Sequence, residues 1–341
     1  MATLSKAPLP HDDHLIKRRM NMKKLIASII IAVFALTGCL SALAEDVPTI
    51  GINQYGEHAS LDNCREGFLQ GLADAGLVEG TDYVIDYQNA GFDNAIAAQI
   101  GQNFSATNVA LMCAIATPSA TACYAAAEDK DIPVVFTAIT DPVEAGLDSG
   151  NITGTSDKLP VEAQLELIRA LQPEAKTIGI IYTTSEPNSV SAIAEYEEKC
   201  GEFGFSVETV GVTAQSEVTQ AADTLISKGV DCFTNLTDNN VVGVLPSILE
   251  KTDEADIPIY GSEVEQVKLG CVAAAGIDYV ALGRQTGLMA AKILTGEASA
   301  YDMPYETISE YGIYVNSAAL EALNISVPAD IAEKAIESTE A

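Results

Sequence analysis

The chain has 341 residues, of which 48% are hydrophobic, and a formal net charge of −30. This length fits about two domains, and the hydrophobic fraction is enough for a sizeable core. The strongly acidic balance argues against binding to nucleic acid or to an anionic membrane surface through charge. Only three histidines occur, and two of them, His11 and His14, lie near the N-terminus. A histidine-based metal or acid–base centre would therefore depend on His58 alone.

The N-terminus has the pattern of an export signal. The apolar run at residues 25–36 follows five basic residues: Lys17, Arg18, Arg19, Lys23 and Lys24. The run is too short to indicate a transmembrane helix. It ends in Leu36-Thr37-Gly38-Cys39, which resembles a bacterial lipobox, so we predict a signal peptide over 1–38, lipidation of Cys39 and a tether over 39–46. The alternatives are a buried apolar helix, and a start at Met20 or Met22 that would shorten the leader.

Residues 49–142 predict a first series of alternating strands and helices. Strands are predicted at 49–53, 83–87, 111–116 and 134–138, and helices at 61–75, 95–104 and 120–127. The runs at 111–116 and 134–138 are apolar, which is typical of strands buried on both faces of a parallel sheet.

The loops after these two buried strands predict an anion site. Thr117 and Ser119 follow the first strand, with Ser119 near the N-cap of the next helix, and Thr140 follows the second. Ligands bind beyond the carboxyl ends of parallel strands, and the free N–H groups of a helix start suit a carboxylate or a phosphate. The alternative is an ordinary N-cap and an ordinary turn.

Residues 151–155 are small and polar and predict a segment that bridges two lobes. A second series follows, with strands at 177–182, 206–212, 231–236 and 257–260, and helices at 161–171, up to 199, at 217–228, at 244–252 and up to 294. A strand-like segment at 304–316, a short helix and a tail close the chain. Two consecutive α/β series predict two doubly wound lobes with a cleft between them for a small ligand.

The cysteines give no sign of a metal or redox centre. Six remain after Cys39: Cys64, Cys113, Cys123, Cys200, Cys232 and Cys271. They show no CxxC spacing, so we predict no metal and no cofactor. Three of them lie in apolar runs and are predicted to be buried, while the pairing of the six stays open.

Several segments together resemble one protein family. In chain order they are GINQYGEHASLDNCREGF, ATPSATACYAAA, FTAITDPVEAGL, NITGTSD, IGIIYTTSEPNSV, TDNNVVG and AAAGIDYVALGRQTG. Their order and spacing over residues 47–325 resemble the TrpX-like substrate-binding proteins of ABC transporters, which have a type I periplasmic-binding-protein fold.

The resemblance implies an α/β fold of two doubly wound, Rossmann-like lobes with parallel sheets and three hinge crossings, near 155, 272 and 299. The first lobe would comprise 47–155 and 272–298, and the second 156–271 and 299–341. The implied function is capture of an amino acid, with tryptophan, phenylalanine or tyrosine as the best candidates, by closure of the cleft. The implied partners are an ABC permease and ATPase, with the protein a monomer anchored through Cys39 on the extracytoplasmic face of the membrane.

The resemblance also assigns residues to the ligand. In the first lobe these are Gln54, Tyr55, Thr117, Ser119, Ala120 and Thr140. In the second lobe they are Tyr182, Glu186, Asn188, Ser189, Asp238, Asn239 and Glu263. Asp238 and Glu263 are the acids placed to meet the ligand ammonium, and the choice between them stays open. Because the chain has no tryptophan, an aromatic ligand would stack on a tyrosine or on His58.

Bland alternatives exist for these residues and for the function. Asp238 could be a helix N-cap, Glu263 a solvated loop charge and His58 a polar rim residue. The motifs GxSxG, HExxH and GxxxxGK[ST] are absent, so we predict no catalytic residues and no enzyme. The alternative functions are a ligand-sensing lipoprotein for another small polar metabolite and, more distantly, a surface hydrolase.

Overall fold

The structure, a computed structural model, describes residues 47–308 and 310–339. The predicted signal peptide, the lipidation site Cys39 and the tether lie outside these residues. Within the described ranges, no helix is both long and apolar enough to cross a bilayer. The same ranges hold no group of three or more His, Cys, Asp or Glu side chains placed to bind a metal ion.

The first half of the chain builds a parallel sheet that is covered by helices. In chain order the elements are β1 (Thr49–Gln54), α1 (Ala59–Asp74), β2 (Val84–Asn89), α2 (Asn94–Thr107), β3 (Leu111–Ile115), α3 (Thr117–Ala127), β4 (Val134–Ile139) and β5 (Ile152–Ser156). The strands lie in the order β5-β4-β3-β1-β2. Every residue of β3 and β4 is buried, as their apolar sequences predict for central strands.

The next part of the chain builds a second sheet. Its elements are α4 (Val161–Leu171), β6 (Thr177–Thr183), α5 (Pro187–Lys199), β7 (Ser206–Val212), α6 (Val218–Lys228), β8 (Cys232–Thr234), α7 (Asn239–Val242), α8 (Leu245–Glu254), β9 (Ile259–Gly261), α9 (Val264–Leu269) and β10 (Ala273–Gly276). The strands lie in the order β10-β9-β8-β6-β7. Cys232 and Phe233 of β8 belong to different hydrophobic clusters, so this sheet is buried on both faces.

The last part of the chain contributes to both sheets. Its elements are α10 (Tyr279–Leu294), β11 (Glu306–Thr307), β12 (Gly312–Val315), α11 (Ser317–Ala322), α12 (Ala329–Ala332) and β13 (Ala335–Glu337). Helix α10 packs on α1 and so covers the first sheet, and β11 pairs with β5 and so extends that sheet. Strand β12 pairs antiparallel with β10 and parallel with β13 in the second sheet. We call the first sheet with its helices the first lobe, and the second sheet with its helices the second lobe.

The chain crosses between the lobes three times. The crossings are residues 157–160, residues 277–278 and the stretch between β11 and β12. The predicted α/β class with two mainly parallel sheets is confirmed. The second and third crossings come later than the predicted positions 272 and 299, because β10 pairs with β9 in the second sheet and β11 pairs with β5 in the first.

Two local features differ from the prediction or resolve what it left open. Residues 151–155, predicted as a bridging segment, contain most of strand β5, which pairs with β4 inside the first lobe. The six cysteines after Cys39 are all buried and all unpaired, so burial rather than disulfide formation accounts for their positions.

Candidate functional site

The carboxyl ends of the strands in the two lobes face each other and are joined by direct hydrogen bonds. Ser60, at the start of α1, donates to Oε1 of Glu263 over 3.0 Å. Thr140, after β4, has its Oγ1 2.9 Å from Oγ1 of Thr237, after β8. The cleft between the lobes is therefore closed in this structure.

A small cavity of about 10 Å³ remains between the lobes, enough for about one water molecule. Its lining comes from both lobes and from the crossings: His58, Ser60, Leu61, Ala138, Asp157, Thr237, Asn239, Val242, Glu263, Gln266 and Tyr279. The lining contains two acids, Asp157 and Glu263, and no lysine or arginine. A ligand with a positive charge is therefore favoured here, and the lobes must separate to admit it.

Glu263 links the lobes from within the cavity lining. It is the N-cap of α9, where it accepts hydrogen bonds from the backbone N–H groups of Glu265 and Gln266. Burial raises its pKa to about 7, while these bonds and the one from Ser60 lower it. The carboxyl group is thus held at the cleft with a charge that is costly to bury.

Asp157 lies on the first crossing, close to the start of α10, which follows the second crossing. It accepts a hydrogen bond from the hydroxyl of Tyr279 over 2.5 Å and one from Thr140 over 3.0 Å. Burial raises its pKa. Asp157 lies on the first crossing and Tyr279 directly follows the second, so their hydrogen bond ties together two of the three crossings.

Asp238 does not line the cavity, in contrast to Glu263. It is the N-cap of α7, and it accepts from the N–H and the hydroxyl of Thr183, at 2.5 and 2.8 Å, from Ser189 at 2.8 Å and from the N–H of Val241 at 3.0 Å. All of these donors lie in its own lobe. The structure therefore places Asp238 as a structural cap, the alternative weighed for it above.

Glu186 is likewise buried in the second lobe and holds the start of α7. Its carboxyl group accepts from the backbone N–H groups of Asn239 and Asn240, at 3.1 and 3.4 Å, and from the side chains of Asn188, Asn239 and Asn240. Burial, and then the neighbouring Asp238, raise its pKa. Of this predicted group, only Asn239 reaches the cavity, and Glu186 fixes the orientation of its amide.

In the first lobe, Gln54 and Tyr55 are buried and do not belong to the cavity lining. Gln54 donates to the backbone oxygen of Gly56 at 2.7 Å and accepts from Arg65 at 2.7 Å. The hydroxyl of Tyr55 donates to the backbone oxygen of Phe92 at 3.1 Å. Tyr182 of β6 is partly buried and is absent from the cavity lining.

The start of α3 differs from the prediction in one respect. Ala116, not Ser119, is the N-cap, and no side chain caps this helix. Ser119 lies within the first turn and donates to Oδ1 of Asn53 at 3.1 Å, inside the lobe, and Ala120 is buried beside it. Thr117 has a buried hydroxyl with no hydrogen-bond partner among the described residues. The free N–H groups therefore remain, without the predicted serine cap.

Two alanines at neighbouring strand ends have backbone conformations that are rare for this residue. Ala116, after β3, has φ 79° and ψ 153°, and Ala138, near the end of β4, has φ 59°. Such conformations cost on the order of 1–3 kcal/mol each and concentrate at functional sites. Both lie at the edge of the sheet that faces the second lobe.

Comparison with known proteins decides the family. Residues 49–339 match the family described as "ABC transporter substrate binding protein". The chain belongs to this family. A curated relative, the "Tyrosine-binding protein" of Clostridioides difficile strain R20291, is 38% identical over 329 residues, which are 91% of this chain and 94% of the relative. The resemblance to TrpX-like substrate-binding proteins is thus confirmed.

Two solved structures resemble this substrate-binding protein to different degrees. An ABC domain in complex with L-Trp, from Streptococcus pneumonia, has a TM-score of 0.82 at 32% identity, over 86% of this chain and 99% of that one. A ligand-free, open substrate-binding protein from Clostridium difficile has a TM-score of 0.64 at 38% identity, over 86% and 100%. The substrate-binding protein is nearer in conformation to the tryptophan complex, although its sequence is nearer to the open structure.

The cleft of this substrate-binding protein also contains residues that sequence reasoning missed. Asp157 and Tyr279 line the cavity, and each lies next to a crossing of the chain. Residues beside a crossing lie at the cleft, so the first crossing, predicted near 155, was the signal that could have found Asp157. The second crossing was predicted near 272, too early in the chain to indicate Tyr279.

Phe92 is another residue of the cleft that was not predicted from the sequence. It follows β2, and its ring lies edge-on to Tyr55, with centroids 6.0 Å apart, and parallel to His58, with centroids 6.4 Å apart. Its ring also approaches Gly243 of the second lobe, where a Cβ atom would lie 3.2 Å from Phe92 Cζ. The end of β2, a neighbour of β1 in the sheet, was the signal.

Proposed function

We propose that this protein captures an aromatic amino acid between its lobes and delivers it to the permease and ATPase subunits of an ABC importer. The observation that carries the proposal is the conformational likeness to the tryptophan complex rather than to the ligand-free, open structure. The name of the curated relative, a tyrosine-binding protein, supports the same ligand class. The protein binds its ligand without chemical change and uses no cofactor.

The charges of the cleft suit the two ends of an amino acid. The ammonium group would meet Glu263 and Asp157, the two acids of the cavity, which has no lysine or arginine in its lining. The carboxylate would meet the uncapped start of α3 and the free hydroxyl of Thr117, with Thr140 nearby. Since Glu263 belongs to the second lobe and the start of α3 to the first, one zwitterion would hold the lobes together.

The side chain of the ligand would lie against an aromatic cluster. Tyr55, Phe92 and His58 form this cluster on the first lobe, and Phe92 reaches the second lobe at Gly243. Aromatic rings in edge-on and offset arrangements stabilise each other by roughly 0.5–1.5 kcal/mol a pair beyond their burial. The cluster thus supplies the stacking surface that a tryptophan side chain of the protein, which this chain lacks, would otherwise provide.

The other predicted residues would act by positioning. We assign ligand contact to Tyr55, Thr117, Thr140, Asn239 and Glu263. Positioning of these residues is assigned to the remainder of the predicted set: Gln54, Ser119, Ala120, Tyr182, Glu186, Asn188, Ser189 and Asp238.

L-Tyrosine or L-tryptophan is expected to raise the melting temperature of the protein and to reduce its radius of gyration in solution scattering. A ligand at a hundred times its Kd stabilises the folded state by about 2.7 kcal/mol. Thermal-shift screening of the amino acids, followed by scattering with and without the best ligand, measures both effects.

The controls are analogues that each lack one charge. Tyramine lacks the carboxylate and N-acetyl-L-tyrosine lacks the ammonium, so both are expected to bind far more weakly than L-tyrosine. Stabilisation by a sugar or another metabolite, without any by an aromatic amino acid, would contradict the ligand class. An unchanged scattering profile on ligand binding would contradict closure.

We also propose that the protein is an exported monomer anchored in the membrane by lipid on Cys39. The lipobox and the basic and apolar leader support this. Cys39→Ala is expected to move the protein from the membrane fraction to the soluble fraction, since the acyl chains supply the membrane affinity. Fractionation with immunoblotting measures this, and membrane retention of the variant would contradict the anchor.

A further inference from the structure

His58 begins the first helix without capping it, and its side chain lines the cleft. It occupies the N-cap position of α1 but makes no capping hydrogen bond. Its ring lies parallel to that of Phe92, and it forms part of the cavity lining. The ring is therefore placed to contact a ligand in the cleft.

The neighbours of His58 determine which of its nitrogens carries the proton. The carboxyl group of Glu186 accepts from Nδ2 of Asn239 at 2.7 Å, which turns Oδ1 of that amide toward His58. Nε2 of His58 lies 3.4 Å from this Oδ1. An amide oxygen can only accept, so Nε2 carries the hydrogen. Burial lowers the pKa of His58 to about 4, so the ring is neutral at physiological pH.

The other nitrogen, Nδ1, is then a buried acceptor. No hydrogen-bond partner lies within reach of it in the part of the chain that the structure describes. A buried acceptor without a donor costs roughly 1–3 kcal/mol. Because His58 lines the cavity, a donor inside the cavity would satisfy this nitrogen.

The hydroxyl groups of the wall cannot supply that donor. Ser60 donates to Glu263, and Tyr279 donates to Asp157. Thr140 also donates to Asp157, so in the pair between Thr140 and Thr237 the hydrogen comes from Thr237. Each of these hydroxyl hydrogens is engaged, so the donor is a water molecule, for which the cavity has room, or a group of the ligand that displaces this water.

We propose that His58 is a specificity-determining residue whose Nδ1 accepts a hydrogen bond from the side chain of the ligand. The inference rests on the proposed function and narrows it to aromatic amino acids with a donor on the ring, such as the phenol of tyrosine or the indole N–H of tryptophan. The ligand ammonium is the other available donor, but Glu263 and Asp157 offer it charge-assisted bonds in the same cavity. Phenylalanine would leave Nδ1 unpaired.

Calorimetric titration with L-tyrosine and L-phenylalanine, which differ by one hydroxyl, tests this. The unmodified protein is expected to bind tyrosine about 10- to 100-fold more tightly, the cost of one unpaired buried acceptor. His58→Gln keeps a donor near the position of Nε2 and loses the acceptor, so it is expected to bind the two amino acids within about threefold of each other, which is under 1 kcal/mol. His58→Asn, the matched control, keeps an acceptor near the position of Nδ1 and should retain the preference for tyrosine.

The outcomes separate this inference from the function on which it rests. If no aromatic amino acid binds the unmodified protein, both fail. If phenylalanine binds it as tightly as tyrosine, the function stands and the role of His58 is overturned, even when a variant does not fold. An unchanged preference for tyrosine in His58→Gln would also overturn it. So would an equal loss of affinity for both amino acids, because this would show that Nδ1 bonds to the ammonium group, which both share.

Discussion

Gly283→Ala is expected to lower the free energy of unfolding by about 3 kcal/mol, because its Cβ atom has no space. Gly283 lies in α10, where that atom would be 2.0 Å from the backbone oxygen of Cys64 in α1. The same close approach recurs at Gly67, Gly71 and Gly287, whose Cβ atoms would lie 2.0 to 2.2 Å from a backbone oxygen of the facing helix. Backbone oxygens cannot rotate away as a side chain can, so the two helices would have to separate.

Urea unfolding measures this effect. The variant and the unmodified protein are compared on the condition that their unfolding free energies fall with urea concentration at the same slope. Gly201→Ala is the matched control, because nothing lies within 4 Å of the Cβ atom there and its φ is not positive. Its stability is expected to change by less than about 1 kcal/mol. If Gly283→Ala were as stable as this control, α1 and α10 would not be packed as closely as the structure shows.

The pair of α1 and α10 shows why the helix α10 could be predicted from the sequence but its close packing on α1 could not. The apolar pattern that ends at residue 294 indicates a helix, because periodicity is a local signal. That the helix packs against residues 59–74 depends on the glycines of both helices, which are some 200 positions apart in the sequence. A glycine within a helix otherwise reads as a weak point.

Strand β5 shows the opposite case, in which local sequence indicates the wrong structure. Four of its five residues, ITGTS, are small or polar, which favours a loop, yet all five are buried. Thr155 accounts for this, because its hydroxyl lies 2.7 Å from that of Thr286 in α10 and 3.3 Å from that of Thr137 in β4. Hydrogen bonds among buried threonines satisfy the polarity only once the lobe is assembled.

The two candidate acids of the site show a similar limit. Asp238 and Glu263 each follow a strand of the second sheet and each caps the helix that comes next. Their local sequences give the same prediction. Only the partner in the other lobe, Ser60 for Glu263, tells them apart, and that contact depends on how the lobes close.

The strained alanines of the cleft could not have been predicted at all. Nothing in the sequence around Ala116 or Ala138 indicates a positive φ, which alanine seldom adopts. In contrast, the buried strands that precede them were correctly predicted from their apolar runs. The sequence therefore predicts where the site lies more reliably than how its backbone is shaped.

Glu263→Gln is expected to weaken the binding of L-tyrosine at pH 8 at least about tenfold, or 1.4 kcal/mol, and to flatten the dependence of affinity on pH. In the closed, empty cleft, burial raises the pKa of this carboxyl group from 4.5 to about 7. Opening exposes the group to water, which removes the burial that raises its pKa. Closing without ligand therefore takes up a proton between pH 4.5 and 7.

The sign of the effect follows from this uptake. The empty closed state is most stable below pH 4.5, and it loses stability as the pH rises through 7, by about 3 kcal/mol for a shift from 4.5 to about 7. Lowering the pH therefore favours the empty closed state over the open state that admits the ligand, whereas in the proposed complex the ligand ammonium keeps Glu263 ionised. Affinity should then fall as the pH is lowered from 7 toward 4.5, and titrations of the ligand across this range measure it.

The charged groups around Glu263 provide the control for this prediction. Glu265, two residues further on, is paired with Lys268 at 2.8 Å and accepts a hydrogen bond from Asn63 across the cleft. Glu265→Gln removes a neighbouring carboxylate but leaves Glu263, so it is expected to keep the pH dependence that Glu263→Gln loses. Glu186 is held by donors of its own lobe alone, so opening the cleft leaves its surroundings unchanged. If affinity rose as the pH fell, or if both variants kept the slope of the unmodified protein, Glu263 would not be the group that exchanges a proton for the ligand ammonium.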